Sequence, residues 1–193
     1  AGGKLVPLLL MGALTAFILG VGMTVTAAYI LLAIVLAPAL IGLGLNPIAV
    51  HLFILYWGMI SFITPPVALG AFAAASLAGS GPMRTGLEAM RFGSVIYFLP
   101  FFFVLNPALV LHGETITILV ETGSAIAGIV LIASGLQGHL VFLGSFFGGA
   151  RSLAARVILV SGGLALAYPE MISNFAGLAA LLLAVILRPQ KSV

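Results

Sequence analysis

The sequence predicts an all-α polytopic membrane protein, and three observations carry that prediction. Of 193 residues, 63% are hydrophobic and 6% are charged, where a soluble domain carries roughly 25% charged residues. Residues 5–83 contain no charged side chain at all. Beyond them, short groups of charge alternate with apolar segments of membrane length, near 20 residues for a helix crossing about 30 Å of hydrocarbon. Water is therefore not the main solvent of this chain. The mean hydropathy of +1.34 agrees.

Composition also removes whole classes of function. Cysteine is absent, so there is neither a disulfide framework nor a thiolate metal site. Aspartate is absent as well, and no H-E-x-x-H occurs. An aspartyl dyad and a zincin are thereby excluded, and no enzyme is expected. Ser61 and His51 are ten residues apart on one segment and do not converge as a nucleophile and base. The seven Lys/Arg are scattered and form no stripe for nucleic acid. The chain opens "AGGKLVPLLL", which is not a signal peptide and resembles the middle of a longer protein.

The elements follow in order. Residues 5–42 are broken at "GVGMTVT", 20–26. The arms on either side are short for full spans, so a re-entrant helical hairpin is expected rather than two crossings. Residues 47–79 are broken at "TPP", 64–66, and read as a discontinuous transmembrane helix. Residues 1–79, the hairpin and the broken helix together, are expected to form one unit, half of a transport domain if the two breaks are a transport site. "SGPMRTGLEAMRF" predicts a cytoplasmic interfacial helix over 80–91. Met83, Leu87 and Met90 share one of its faces, with Ser80 as cap and Pro82 in the first turn. A transmembrane helix is expected over 92–113, ahead of a C-terminal transmembrane tail over 114–193. About four spans in all are expected after the interfacial helix: 92–111, 122–143, 153–168 and 171–187. The positive-inside rule puts Arg84, Arg91, Arg151, Arg156, Arg188 and Lys191 in the cytoplasm. Glu114, Glu121 and Glu170 then fall outside, and Lys4 is the one basic residue against the rule.

Both breaks carry chemistry. Irregular backbone at membrane depth survives only where protein buries it or water reaches it. A break frees carbonyls on one half-helix and N–H groups on the next. Carbonyls with Ser or Thr hydroxyls suit Na⁺, and half-helix N-termini favour a carboxylate. The hydroxyls at hand are Thr24 and Thr26 at the first break, and Ser61 and Thr64 at the second. Thr64 is expected to cap the second half-helix, with Pro65 or Pro66 in its first turn. A ligand-free kink is the plainer alternative.

The two stretches carry a resemblance. "GVGMTVTAAYILLAIVLAPALIGLGLNPIAVHLFILYWGMISFITPPVALGAF" resembles the second half of a TRAP (tripartite ATP-independent periplasmic) transporter large permease subunit, closest to the fused 4TM/12TM permeases of the TAXI type. The family pattern runs G-M-G-x-P-x-T-A-A-Y at the hairpin and T-P-P-V-A-L at the broken helix. "GPMRTGLEAMRFG" and "PFFFVLNPALVLHG" extend the likeness over about residues 5–113. It implies the second inverted repeat of an elevator-type secondary transporter in a bacterial or archaeal inner membrane, driven by Na⁺, or by H⁺ in some members. It implies a small organic acid as substrate, delivered by a periplasmic solute-binding protein. It also implies that the first repeat and the small membrane subunit complete the permease, and that this chain is a C-terminal portion. Carried over by position, the motifs nominate Gly20, Gly22, Thr24, Thr26, Ser61, Thr64, Pro65 and Pro66 for substrate or ion, with Na⁺ at Thr24, Thr26, Ser61 and Thr64. Two positions depart from the pattern. Thr24 stands for its proline and Val21 for its methionine, so the tip gains a hydroxyl and loses a fixed φ.

Other residues are read more plainly. His51 is a packed histidine near the outer interface, or a proton carrier or substrate contact, and Trp57 a core or interface residue or a binding platform. Asn106 is expected to bond backbone freed by Pro107. Gly144 and Gly148 are spaced for helix packing, and the tail helices carry no notable polar interior residue. Alternative functions are a carrier of the same architecture without a binding protein, and a non-transporting assembly subunit.

Overall fold

A computed structural model describes residues 5–140, 144–145 and 149–186. Lys4, Gly148, Arg188 and Lys191, which entered the topology and packing readings, lie outside the described residues. The chain divides into two units, 1–110 and 111–193.

The first unit is a helical hairpin packed on a broken helix. Helix α1 (Leu5–Gly20) turns back through Val21–Met23 into α2 (Val25–Val35) and α3 (Ala37–Ile41). Gly22 makes the turn possible with φ +77°, which a Cβ would oppose. Asn46 caps α4 (Pro47–Met59), its Oδ1 accepting from Ile48 N and Ala49 N at 2.9 and 3.2 Å. Pro47 at the first position completes that start signal. Asn46→Ala is expected to lower stability by about 1 kcal/mol, measured by thermal unfolding of the detergent-purified protein. Both hairpin arms and α7 (Leu99–Leu105) pack on α4. The core there joins Leu9, Ala13, Leu32, Leu40, Phe53 and Ile54. Outward-facing Leu10, Leu14 and Ile18 are 56–60% exposed, an apolar surface that suits an apolar solvent.

After α4 the chain tightens into a 3₁₀ turn (Ile60–Phe62), runs irregularly through Thr64–Pro66, and resumes as α5 (Leu69–Ala78). The expected position of the second half-helix is thus corrected. Neither proline lies in its first turn, and Ala68 rather than Thr64 holds the cap position. The physical reason is that Pro65 and Pro66 each push the preceding residue out of the helical region. The helix restarts only beyond them, after Ala68 in the left-handed region at φ 34°, a strain of about 1–2 kcal/mol for a residue with a Cβ.

Helix α6 (Pro82–Phe92) forms as expected, but with Gly81, not Ser80, at its cap. Ser80 Oγ instead bonds Thr85 Oγ1 at 2.8 Å. Met83 and Leu87, on the apolar face, are 53% and 58% exposed, and the buried residue is Gly86. Glycine admits a close approach that Met and Leu forbid. The single helix expected over 92–113 is a 3₁₀ turn (Ser94–Tyr97), α7, and a second 3₁₀ turn (Pro107–Val110), bent 68° from α6. Gly93, Pro100 and Pro107 interrupt it. Asn106 Oδ1 accepts from Ala108 N at 3.2 Å and so bonds the start of the second 3₁₀ turn, not the carbonyl that Pro107 leaves without a donor.

Among its described residues the second unit holds three helices, α8 (Thr115–Gln137), α9 (Gly149–Ala167) and α10 (Met171–Ile186), with a two-residue antiparallel pair (β1, His139–Leu140; β2, Gly144–Ser145) after α8. Among the described residues, α8 alone is long and apolar enough to cross a bilayer unaided. It starts at Thr115 rather than near 122, because Glu114 takes the cap position, where negative charge meets the helix dipole favourably. Glu121 therefore lies inside the helix. Close packing runs through Gly128 and Gly163, each of which would set a Cβ within 2.6 Å of the other's carbonyl oxygen. The tail does hold polar interior contacts, contrary to expectation. Ser124 Oγ lies 2.6 Å from Leu166 O and 2.8 Å from Asn174 Oδ1. Arg156 donates to the carbonyls of Gly135 and Leu136 at 2.8 Å each, satisfying the α8 C-terminus.

Candidate functional site

The two breaks meet in the first unit. Ser61, 2% exposed, donates from Oγ to the carbonyl of Gly20 at 3.0 Å, across 41 residues of sequence. Its second contact, to Gly58 O at 3.4 Å, is weak. The backbones touch at the same place. A Cβ on Gly20 would lie 2.6 Å from Gly58 O, and one on Gly58 would lie 3.3 Å from Leu32 Cδ1. Hairpin end and broken helix thus cross glycine to glycine, with Ser61 as the polar tie.

Thr64 is the second buried hydroxyl, 8% exposed. Its Oγ1 donates to Ile60 O at 2.8 Å and sits 2.7 Å from Tyr97 OH. Thr64 therefore closes the end of the first half-helix, not the start of the second. Pro65 packs against α6, where a Cβ on Gly86 would meet its Cγ at 2.8 Å. Pro66 is exposed, and the peptide between the prolines is cis.

The break leaves backbone groups unclaimed. Among the described residues, no hydrogen bond reaches the carbonyls of Ser61, Phe62 or Ile63, and none leaves the N–H groups of Leu69, Gly70 or Ala71. Carbonyl oxygens thus end one half-helix and donors begin the next, the two polarities the sequence reading requires. Among the described residues, no group of three or more His, Asp or Glu side chains gathers. A cation held here would meet hydroxyl and carbonyl oxygen, the hard donor set of Na⁺ rather than of a transition metal.

Not every nominated residue joins this cluster. Gly20 does. Gly22, Thr24 and Thr26 are exposed on the tip, and Thr24 Oγ1 accepts from Ala27 N at 3.3 Å as the cap of α2. His51 pairs with Tyr29, Nδ1 to OH at 3.0 Å, beside a cleft of about 330 Å³ lined also by Ile48, Leu52 and Leu55. Trp57 meets Tyr97 and Phe101 edge-on at 6.2 and 5.8 Å between ring centroids. Tyr97, Gly86 and Gly93 are the site neighbours that sequence reasoning missed.

Residues 1–118 match the family described as tripartite ATP-independent periplasmic transporter, DctM component. The chain belongs to the DctM family. That family is one of transporter permeases, not of enzymes, and membership makes this chain part of a TRAP-type membrane permease that works with other TRAP components. The match includes both breaks and the whole first unit of the DctM-family chain, and it ends just inside α8. No curated protein and no solved structure matches the chain.

Proposed function

We propose that this DctM-family chain supplies half of the transport domain of a secondary transporter. In this reading the T-P-P gap and the hairpin end hold a coupling cation, Na⁺ or in its place H⁺. Beside it they hold the carboxylate of a small organic acid delivered by a periplasmic solute-binding protein. The observation that carries the reading is the bond from Ser61 to the Gly20 carbonyl. It joins two irregular segments that a pair of unrelated kinks would have no reason to join. The hydroxyl of Thr64 and the open carbonyls of Ser61–Ile63 provide the oxygens. The free N–H groups at the start of α5 provide the partial positive charge for an anion. With no Lys or Arg from residue 5 to 83, this stretch offers a carboxylate dipoles, hydroxyls and a bound cation rather than a basic side chain. The remainder of the permease, including the first inverted repeat and the small membrane subunit, completes the site in an inner membrane.

The test is uptake into proteoliposomes by the full-length permease with its binding protein, with and without a Na⁺ gradient. Thr64→Ala is expected to reduce gradient-driven uptake about tenfold to a hundredfold, the range for one lost charge-assisted contact. Unchanged uptake would reduce the gap to a structural kink and move the site to the hairpin tip. Uptake indifferent to the gradient would sink the Na⁺ reading. Full uptake without the binding protein would favour the simpler carrier.

A further inference from the structure

We propose that Tyr97 is a positioning residue for Thr64 at the T-P-P gap, acting through the hydrogen bond between their hydroxyls. This rests on the reading that the gap holds a cation.

The direction of that bond follows from proton counting. Thr64 has one hydroxyl proton and two lone pairs. Ile60 O, 2.8 Å away, can only accept, so the Thr64 proton goes there. Tyr97 OH, at 2.7 Å, must then donate. The Thr64 oxygen is pinned on two sides, with one lone pair left over. Without Tyr97, the i to i−4 bond alone would hold that oxygen, and one such bond fixes its position less well than two. A ligand oxygen that is already in place loses less freedom when a cation arrives, which is what preorganisation means energetically.

The structure holds Tyr97 from two sides. Its 3₁₀ turn begins directly after Gly93, whose Cβ position lies 2.7 Å from Ile63 Cδ1. One helical stretch earlier, Gly86 seats α6 on Pro65. The stretch from α6 through Tyr97 therefore touches three consecutive gap residues: Ile63, Thr64 and Pro65. Trp57, edge-on at 69° to the Tyr97 ring, closes the other side. Tyr97 is half-buried, Thr64 is buried, and the bond spans 33 residues of sequence.

The test reads Na⁺ binding without any substrate. The full-length permease is reconstituted in lipid nanodiscs, and its melting temperature is followed as NaCl replaces choline chloride at constant ionic strength. A ligand that binds the folded state stabilises it as RT ln(1 + [L]/Kd), so the curve reports the half-saturating Na⁺ concentration. Tyr97→Phe is expected to raise that concentration about tenfold, leaving the melting temperature in choline within about 2 °C of wild type. Tyr97→Leu, which also gives up the ring, is expected to melt lower in choline yet show the same Na⁺ shift, because only the hydroxyl is common to both losses. Adding Tyr97→Phe to Thr64→Val is expected to shift the curve no further than Thr64→Val alone, as coupled residues require. A purely structural role would lower the choline melting temperature and leave half-saturation in place. That result, or additivity in the double variant, overturns the role of Tyr97 while Thr64→Val still reports the gap. A wild type that Na⁺ does not stabilise overturns the cation reading, and the proposal falls with it.

Discussion

Gly20→Val is expected to abolish uptake and to lower the amount of folded permease recovered from the membrane. The Cβ alone would sit 2.6 Å from the carbonyl oxygen of Gly58 and 3.1 Å from its Cα. Both are backbone atoms in the middle of a packed crossing, so no rotamer change relieves the clash. The helices must separate, and overpacking of this kind costs about 1–3 kcal/mol and often more when backbone has to move. Separation also breaks the bond from Ser61 to Gly20 O, leaving the hydroxyl with Gly58 O at 3.4 Å and the carbonyl with Met23 N at 3.3 Å, a further loss of about 0.5–1.5 kcal/mol. Gly22→Ala is the control. Gly22 has open space around its Cβ position and only a positive φ to defend. Its cost is the left-handed strain of about 1–2 kcal/mol, and substantial uptake should survive. Uptake measured in proteoliposomes, together with the yield of monodisperse protein, checks both. A Gly20→Val permease with normal yield and rate would mean that the tight crossing is not needed for function.

The difference between these two glycines shows what the sequence can disclose. The tip "GVGMTVT" announces a turn because glycine and threonine cluster locally, and the turn is where they stand. Likewise, "TPP" announces a break because proline lacks an N–H. Which glycine faces another helix is not a local property. Gly58 sits in an unbroken apolar run and carries no mark of its crossing with Gly20. Tyr97, in "SVIYFLP", looks like any interfacial aromatic until the fold brings it to Thr64. In α6 the local pattern marks an apolar face, and Met83 and Leu87 on it stay exposed, as an interfacial helix requires. The residue that packs is Gly86, which that pattern does not mark. In water the apolar face must be the packed one; where the surroundings are apolar, packing selects small residues instead. Gly86 and Gly93, one heptad apart, were the available signal. The prolines displaced the start of α5 to Leu69 for a reason the sequence did contain, since each restricts its predecessor.

Gly86→Leu follows from that small-residue contact, and it tests whether α6 belongs to the gap or merely follows it. The Cβ position of Gly86 lies 2.8 Å from Pro65 Cγ and 3.4 Å from both Pro65 Cδ and Phe72 Cε1. The nearest atom is the far corner of a proline ring, which can pucker by a few tenths of an ångström. Gly86→Ala should therefore be tolerated, the better helix propensity of alanine offsetting about 1 kcal/mol of crowding. Leucine adds three further carbons, for which ring pucker makes no room. Either α6 lifts away from Pro65 or the T-P-P segment shifts toward its own half-helices. Both movements separate the Tyr97 hydroxyl from Thr64, because the turn carrying Tyr97 continues directly from α6. The expected outcome is a permease present at near-normal abundance, since Gly86 is a contact of an otherwise exposed helix, but with uptake down at least about tenfold and half-saturating Na⁺ raised about as far as in Tyr97→Phe, one hydrogen bond's worth. Combining Gly86→Leu with Tyr97→Phe should add little, because one bond cannot be lost twice. If Gly86→Leu leaves the Na⁺ response unchanged and lowers only the maximal rate, then α6 acts on movement of the transport domain. The Thr64 oxygen would in that case hold its place without support from α6.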